Sequence, residues 1–174
     1  MEAILAFDIK KGISKNGVLP WNIKEDLQFF YSKTKCNVVI MGKNTYFSIP
    51  DDKKPLKNRL NIVLTREPSK YKEIVEKYNN VIFTDNENIH ENILLFPYKY
   101  NDMYSVLDKF FKIFIVGGNE IYKKFIPICK IIWVTKIKHD YGCDLFFDYN
   151  LENNVQEEKV FETEKCSIYK YTKL

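Results

Sequence analysis

Short runs of apolar, often β-branched residues recur along the chain and are separated by polar segments. Such runs lack the strict alternation of a half-exposed strand. They are typical of strands that are buried on both faces in an α/β sheet. On this pattern we predict six buried strands, in residues 3–7, 37–42, 59–66, 81–84, 111–118 and 131–137.

Apolar residues between these runs recur at helical spacing. They predict helices in residues 25–34, 45–49, 71–78 and 119–125. The tail, residues 155–171, alternates and predicts two antiparallel strands, whereas residues 86–109 give no local prediction because Pro97 and a polar pair interrupt them. The whole pattern predicts one α/β domain over residues 1–174, with a largely parallel sheet and an antiparallel C-terminal end.

Several predicted strands end in residue types that suit phosphate binding. Gly42 to Thr45 follow one strand, Thr65 and Arg66 end another, and Gly117-Gly118 precede a helix. In open α/β sheets, ligands bind beyond the carboxyl ends of the strands, and helix N-termini offer amides to phosphate. A phosphorylated cofactor fits this edge, although each piece taken alone is equally consistent with a tight turn or a surface lysine.

Composition narrows the class of protein. Hydrophobic residues make up 45% of the chain and charged residues 29%, which is typical of a soluble globular domain. The net charge of +4 is scattered, which does not favour nucleic acid as a partner but suits a polyanionic small molecule. No apolar run approaches the ~20 residues that span a bilayer, and the N-terminus predicts a strand rather than a signal peptide. We therefore expect a cytoplasmic protein.

The distribution of histidine and cysteine leaves acid–base chemistry to a carboxylate. His90 and His139 are far apart, and the four cysteines form no Cys-x-x-Cys pair, so we expect reduced thiols and no metal site. Asp26 is the best candidate, because it lies in the first turn of the predicted helix 25–34 beside an apolar face. From the local pattern alone, an idle helix N-terminal carboxylate remains the more frequent interpretation.

Six ordered segments resemble the dihydrofolate reductase family, and the similarity covers about residues 3–171. They are GISKNGVLPW (12–21), EDLQFF (25–30), VIMGKNTYFSIP (39–50), PLKNR (55–59), IVGGNEIY (115–122) and DLFF (144–147). The run Phe47 to Pro50 is similar to the eukaryotic-type enzymes somewhat more than to the bacterial ones.

The resemblance implies an eight-stranded, mostly parallel mixed sheet with flanking helices. It implies NADPH-dependent reduction of 7,8-dihydrofolate, with hydride transfer to C6 and a proton added at N5. It also implies binding of antifolates, and a separate or fused thymidylate synthase as a candidate partner.

The resemblance assigns catalytic roles to Asp26, Trp21, Tyr122 and Thr135. Asp26 would accept two parallel hydrogen bonds from the pterin N3 and 2-amino group, while Thr135 bonds the carboxylate. Trp21 would hold an ordered water, and Tyr122 would lie near the nicotinamide.

Further substrate contacts are implied around these residues. The carbonyls of Ile4 and Val116 would bind the pterin edge, and Arg59 would grip the glutamate α-carboxylate, a bidentate role that lysine serves poorly. The apolar cleft would consist of Leu5, Leu27, Phe30, Ile49, Pro50 and Leu56.

On the cofactor side, Lys43 and Thr45, with Thr65 and Arg66, would hold the phosphates and select the 2′-phosphate. The Gly117–Gly118 bond is cis in the family, and residues 12–19 would form a lid over the nicotinamide. The implied cofactor set is Ala6, Ile13, Gly17, Leu19, Gly42, Lys43, Asn44, Thr45, Leu64, Thr65, Arg66, Gly117, Gly118, Asn119, Glu120 and Ile121.

Five positions depart from the family pattern: Ser14, Asn44, Tyr46, Asp85 and Cys143. Asn44 and Asp85 replace residues that are often basic, which leaves the strength of the preference for NADPH over NADH open. Two alternatives remain, a related reductase of another pterin or pyrimidine and a catalytically silent binding protein on the same fold. The presence of Arg59 and Asp26 argues against the first, and intact Asp26, Trp21 and Thr135 argue against the second.

Overall fold

The computed structural model describes residues 1–151 and 153–174. By its internal contacts the chain divides into two compact units. The first unit comprises Met1–Lys33 and Ile115–Leu174, and the second comprises Thr34–Phe114. The prediction of a single domain over residues 1–174 stays a prediction.

The described residues form ten strands and six α-helices. The strands are β1 (Glu2–Phe7), β2 (Gly12–Ser14), β3 (Val38–Gly42), β4 (Leu60–Leu64), β5 (Val81–Thr84), β6 (Ile113–Ile115), β7 (Ile131–Ile137), β8 (Leu145–Phe146), β9 (Val155–Glu162) and β10 (Cys166–Lys173). The helices are α1 (Lys24–Thr34), α2 (Lys43–Ser48), α3 (Lys72–Lys77), α4 (Ile89–Leu95), α5 (Pro97–Met103) and α6 (Asn119–Phe125). Short 3₁₀ turns span Asp51–Lys53, Pro68–Tyr71 and Ile126–Ile128.

The predicted fold class is confirmed. Among the described strands, all except β2 and β8 belong to one eight-stranded mixed sheet that is mainly parallel. No helix in the described ranges is long and apolar enough to cross a membrane.

In the first unit, β7 is a buried central strand. It pairs in parallel with β1, from Glu2 opposite Ile131 to Phe7 opposite Lys136, and antiparallel with β10. Strand β10 in turn pairs with β9, which confirms the predicted antiparallel C-terminal end. A separate two-stranded ribbon joins β2 to β8. Apolar side chains of this unit pack around Trp21, Ile23, Ile137, Cys143 and Cys166.

In the second unit, β3, β4 and β5 are parallel and in register. Gly42 lies opposite Leu64, and Leu64 lies opposite Thr84. Their carboxyl ends therefore meet, as the sequence predicted for the strands that end in Lys43 and Thr65. An aromatic cluster stabilises this unit, in which the Phe83 ring lies 5.2 Å from Tyr46 and 4.6 Å from Tyr71.

Residues 12–19 fold as an ordered hairpin rather than an irregular loop. The backbones of Lys15 and Val18 exchange two hydrogen bonds of 2.9 and 3.1 Å. Asn16 and Gly17 occupy the turn with φ values of 50° and 76°, the positive values that a two-residue type I′ turn requires. The hairpin is attached to β8 through Asp144, whose Oδ2 accepts a hydrogen bond of 2.8 Å from the Asn16 amide.

Two glycines of this hairpin should respond differently to substitution. At Gly12 a Cβ would overlap Cys143, whereas at Gly17 a Cβ would meet open space but sit on backbone with φ +76°. We expect Gly17→Ala to lower the free energy of unfolding by about 1 kcal/mol. Gly12→Ala should lower it by about 2–3 kcal/mol, because the overlap forces the backbone to shift. Urea denaturation measures both changes.

The steric origin of the Gly12 effect can be separated by a double-mutant cycle. Adding Cys143→Gly to Gly12→Ala should recover part of the loss, while adding it to Gly17→Ala should be additive. A larger loss for Gly17→Ala than for Gly12→Ala would contradict this account.

Candidate active site

Asp26 lies in the first turn of α1 in the first unit and is only 7% exposed. Trp21 precedes the helix, and its indole Nε1 donates a hydrogen bond of 3.3 Å to Asp26 Oδ2. The side chain of Thr135, buried in β7, is also hydrogen-bonded to Asp26. A loop, a helix and a strand thus place an indole, a carboxylate and a hydroxyl together. All of them belong to the catalytic set that the resemblance implied.

Burial sets the ionisation of this carboxylate. Loss of water raises the pKa of Asp26, and the hydrogen bonds from Thr135 and Trp21 lower it without restoring the ordinary value. Two further titratable groups are electrostatically coupled to Asp26, namely the Tyr122 phenol and the Cys166 thiol. Asp26 is therefore a buried acid whose charged form lacks full compensation within the protein.

Tyr122 of α6 is the fourth member of the implied catalytic set. Its hydroxyl donates a hydrogen bond of 2.9 Å to the carbonyl oxygen of Ile4 in β1. Burial, followed by the negative charge of Asp26, raises the pKa of Tyr122. The phenol is therefore a hydrogen-bond donor and not a base at neutral pH.

The glycines before α6 are placed against this tyrosine. The Gly117–Gly118 peptide is cis, as the resemblance implied, and Gly117 has φ +108°. A Cβ at Gly117 would lie 3.0 Å from the Tyr122 ring, so the close approach needs glycine. The next residue, Asn119, has a buried Oδ1 without a hydrogen-bond partner among the described residues. Such an acceptor fits a ligand that carries a donor, as the implied cofactor does.

The remaining first-unit residues differ in exposure. Leu5 is buried, Ala6, Ile13, Phe30, Val116 and Ile121 are half-buried, and Gly17, Leu19 and Glu120 are exposed. Leu27 is 40% exposed, and with Tyr31 it lines a shallow cavity of about 370 Å³ together with Asn22, Lys24 and Gln28. Leu27 therefore presents an apolar surface to solvent on the helix that carries Asp26.

In the second unit, the candidate phosphate residues lie around the ends of β3 and β4. Gly42 precedes α2 without a side-chain cap, and Lys43, Asn44 and Thr45 form its first turn. Leu64 ends β4, and Thr65 and Arg66 follow it. Glu67, which was not predicted from the sequence, follows Arg66. Its pKa is lowered chiefly by Lys70, 2.7 Å away, and slightly by Lys43. A carboxylate thus lies near the basic residues at this edge.

Arg59 is buried in the second unit, 6% exposed, just before β4. Its Nε donates to the Lys57 carbonyl at 2.9 Å, and its Nη1 donates to Thr34 Oγ1 at 3.1 Å. These bonds fix the plane of the guanidinium. Of the three apolar residues assigned to this unit, Ile49 and Leu56 are half-buried and Pro50 is exposed.

Asn61 supports this segment and was missed by the sequence analysis. It is fully buried within β4, and its amide bonds both the N–H and the C=O of Leu56 at 2.9 Å and the Arg59 carbonyl at 3.1 Å. Asn80 adds hydrogen bonds to the same two carbonyls. An asparagine inside an apolar run was the available signal, because a buried amide needs partners.

The two units thus hold separate parts of the implied set. The first unit brings together Asp26, Trp21 and Thr135, with Tyr122 on Ile4 and the cis Gly117–Gly118 peptide. The second brings together the residues after β3 and β4 and, separately, fixes Arg59. Within the described ranges, no group of three or more His, Cys, Asp or Glu side chains could hold a metal ion.

Comparison with known proteins gives one family. A family model described as "Dihydrofolate reductase" matches residues 1–173. The dihydrofolate reductase of Aedes albopictus is 33% identical over 165 residues, covering 87% of this chain and 83% of the relative. That of Ureaplasma parvum is 34% identical over 161 residues, covering 91% and 88%. The bifunctional dihydrofolate reductase-thymidylate synthase of Zea mays is 35% identical over 154 residues, which are 83% of this chain and 28% of the relative.

The raised pKa of Asp26 predicts that Asp26→Asn stabilises the protein at neutral pH, by about 0.5–2 kcal/mol. The folded state binds this proton more tightly than the unfolded state, so the unfolding free energy falls as the pH rises from the unfolded pKa of 3.8 through the folded one. The neutral amide avoids that loss. Urea denaturation at neutral pH should show the gain, and it should vanish at a pH below 3.8.

Asp140→Asn is a matched control, because the pKa of Asp140 is shifted in the opposite direction from that of Asp26. The exposed Asp140 carboxylate has its pKa lowered by Lys10, so its replacement should give no gain at neutral pH. A lower stability of Asp26→Asn at neutral pH would contradict burial as the dominant influence on Asp26.

Proposed function

The chain belongs to the dihydrofolate reductase family, and from that premise we propose that it reduces dihydrofolate with NADPH while Asp26 holds the pterin ring. The family acts on a small-molecule substrate with a nicotinamide cofactor. The observation that carries the proposal is the buried Asp26 carboxylate with Trp21 and Thr135 hydrogen-bonded to it. The residue roles that follow belong to the proposal.

The pterin edge would supply Asp26 with two further hydrogen-bond donors. An amidine-like edge donates two parallel N–H bonds, which a carboxylate accepts with both oxygens. Because burial raises the pKa of Asp26, such a ligand gains more from the interaction than it would at an exposed carboxylate. The contact also favours the protonated form of the bound ring, which is the form that accepts a hydride.

The neighbours of Asp26 orient the ring further. The Ile4 carbonyl already accepts the Tyr122 hydroxyl, and its second lone pair can accept an N–H from the pterin. The Val116 carbonyl is assigned the same task from the segment before Gly117. Since Tyr122 keeps its proton, it acts through position, and water reaching N5 is the final proton donor. The one N–H of Trp21 is bonded to Asp26, so Trp21 holds that water only when the indole releases the carboxylate.

The rest of the substrate is assigned to apolar residues and one cation. Leu27 and Phe30 on α1, with Leu5, would contact the pterin and aminobenzoyl rings, as would Ile49, Pro50 and Leu56 of the second unit. Arg59 would bind the glutamate α-carboxylate. Its guanidinium is held in plane by Lys57 and Thr34, so little rotamer freedom is lost on binding.

NADPH, when bound, supplies the hydride from its nicotinamide C4. Lys43 and Thr45 at the start of α2 and Thr65 and Arg66 after β4 would bind its phosphates, and the registered ends of β3 and β4 support their grouping. The backbone around Gly117 and Gly118, with the buried Asn119 Oδ1, would receive the rest of the cofactor. The hairpin of residues 12–19 would cover the nicotinamide.

Preference for NADPH over NADH is assigned to Arg66 and Lys43. Two observations oppose a strong preference. Asn44 is neutral, and Glu67 lies close enough to Lys43 for the lysine to affect its pKa. We propose that NADPH is the cofactor used, with a preference set mainly by Arg66.

Location and partners complete the proposal. A cytoplasmic protein is supported by four free cysteines, three of them buried. The Zea mays relative is a bifunctional dihydrofolate reductase-thymidylate synthase, which makes a fused or separate synthase a candidate partner here.

The reaction and the role of Asp26 can be tested together. We expect the absorbance of NADPH to fall when dihydrofolate is added, and more slowly when NADH replaces NADPH. Asp26→Asn should lower turnover at neutral pH by roughly 100-fold or more, while the Kd for NADPH stays near that of the parent. Equal turnover for parent and variant would remove Asp26 from the role proposed.

Arg59 and Arg66 give a paired test of the two binding roles. Arg59→Leu should weaken dihydrofolate binding by roughly 10- to 100-fold and spare NADPH, because it removes a charged hydrogen-bonding partner. Arg66→Leu should do the reverse, weakening NADPH while sparing NADH and dihydrofolate. Arg59→Lys keeps the charge but loses the fork and should resemble Arg59→Leu. Equal losses for both ligands in both leucine variants would contradict the assignment.

A further inference from the structure

Asp8 is a buried carboxylate that the proposed reaction does not use. It follows β1 in the first unit and is 2% exposed. Its Oδ1 accepts hydrogen bonds from the backbone amides of Lys10 at 2.9 Å and Gly12 at 2.8 Å. Its Oδ2 accepts one of 3.1 Å from the amide of Tyr141, and the Cys143 thiol is also hydrogen-bonded to the carboxylate. One carboxylate therefore ties the start of the hairpin to a segment about 130 residues away in the sequence.

These donors keep Asp8 charged. Burial raises its pKa, but the amides of Gly12, Tyr141 and Lys10 together with the Cys143 thiol lower it further, and the resulting pKa is below the ordinary value. Because both oxygens are occupied by protein donors, the carboxylate holds geometry and offers no acceptor to a ligand.

A series of side-chain contacts leads from Asp8 to Asp26. Asp8 binds the backbone amide of Tyr141, and the ring of Tyr141 packs on Trp21. The ring centroids are 5.5 Å apart, with an interplanar angle of 58°. Cys143 lies in the same apolar cluster as Trp21. The Trp21 indole in turn donates to Asp26 Oδ2. The order of contacts is Asp8, Tyr141, Trp21 and Asp26, all within the first unit.

We propose that Asp8 is a positioning residue for the reaction, which sets the hydrogen bond between Trp21 and Asp26 by holding Tyr141 against the indole. The inference rests on the proposed role of Asp26. The carboxylate of Asp8 also bonds the amide of Gly12, where the hairpin of residues 12–19 begins. Asp8 is thus linked to Asp26 through Tyr141 and Trp21, and separately to the hairpin through Gly12. The pH profile of the rate reports the first of these links.

Other charged groups near the two carboxylates must be kept constant in the test. Asp26 is coupled to Tyr122 and Cys166, and Glu25 also acts on Cys166. Lys10 and Cys143 face Asp8, and Asp140 and Asp144 act on Cys143. The His139 ring packs on Tyr141 with ring centroids 4.9 Å apart. The test variants leave all of these in place, except in the control.

Asp8→Asn is the decisive variant, because it keeps the shape and one oxygen but replaces the other acceptor with an amide that repels an N–H donor. Hydride transfer is followed in single turnovers with saturating NADPH and dihydrofolate as a function of pH. We expect the rate to fall roughly tenfold, since misplacement at a distance is costly. The apparent pKa of the rate should shift upward, because the Trp21 bond that lowers the pKa of Asp26 is loosened. Saturating NADPH keeps any loss of NADPH affinity through the Gly12 link out of the measured rate.

Asp140→Asn is the matched control. It removes the same charge next to Tyr141, where Asp140 is exposed and pairs with Lys10 at 2.8 Å. Its rate should stay within about twofold of the parent, with the parent's pH profile. Tyr141→Ala keeps the amide that Asp8 binds but removes the ring, so it should reproduce the Asp8→Asn profile.

The outcomes separate this inference from the proposed function. An unchanged pH profile in Asp8→Asn and in Tyr141→Ala, even with reduced stability, would overturn the positioning role. If Asp8→Asn does not fold, the Tyr141→Ala profile decides alone. Full turnover in Asp26→Asn would instead overturn the proposed role of Asp26, whatever the result at Asp8.

Discussion

The incomplete compensation of a buried charge at Asp26 is the constraint on which the candidate site depends. The folded chain removes water from this carboxylate, and among the described residues Trp21 and Thr135 give it neutral hydrogen bonds in return. Its pKa therefore stays raised, and the folded protein keeps an unmet demand for positive charge or further donors at this point. The charge of Asp26 also shifts the pKa of a neighbouring group. The pKa of Tyr122 is raised partly by Asp26, which leaves the phenol as a donor to Ile4 and not as a competing base.

Local pattern predicted the elements whose burial is simple. Strand β7, strand β5 and helix α6 have the bounds that the pattern indicated. The two strands are short apolar runs between polar segments, and the helix has apolar residues at helical spacing. Strands β2 and β8 were missed because they have three and two residues, and Leu145 and Phe146 are half-exposed, which leaves no burial pattern. Their pairing joins distant parts of the chain, which no local window contains.

Residues 86–109 gave no local prediction for a different reason. Pro97 was interpreted as an interruption, but it is the first residue of α5, a position where proline is favoured since its missing N–H has no helical partner. Helices α4 and α5 also lack side-chain caps at Asn88 and Phe96, so the usual start signals were absent. In the candidate site, Asn61 and Glu67 were not predicted. Their roles depend on the residues that they contact, and a sequence gives residue types without those contacts.

Asp8 and Asp26 show how one residue type, little exposed at both positions, acquires opposite properties. Burial raises the pKa of both. Asp8 receives three backbone amides and a thiol, which outweigh burial and lower its pKa. Asp26 receives an indole and a hydroxyl, which do not. Backbone amides are fixed by the fold and cannot turn away, so they make Asp8 a permanent anchor for Gly12 and Tyr141. The fewer side-chain donors at Asp26 leave acceptor capacity for a ligand. A buried carboxylate is therefore better judged as structural or functional by the number and kind of its donors than by its burial.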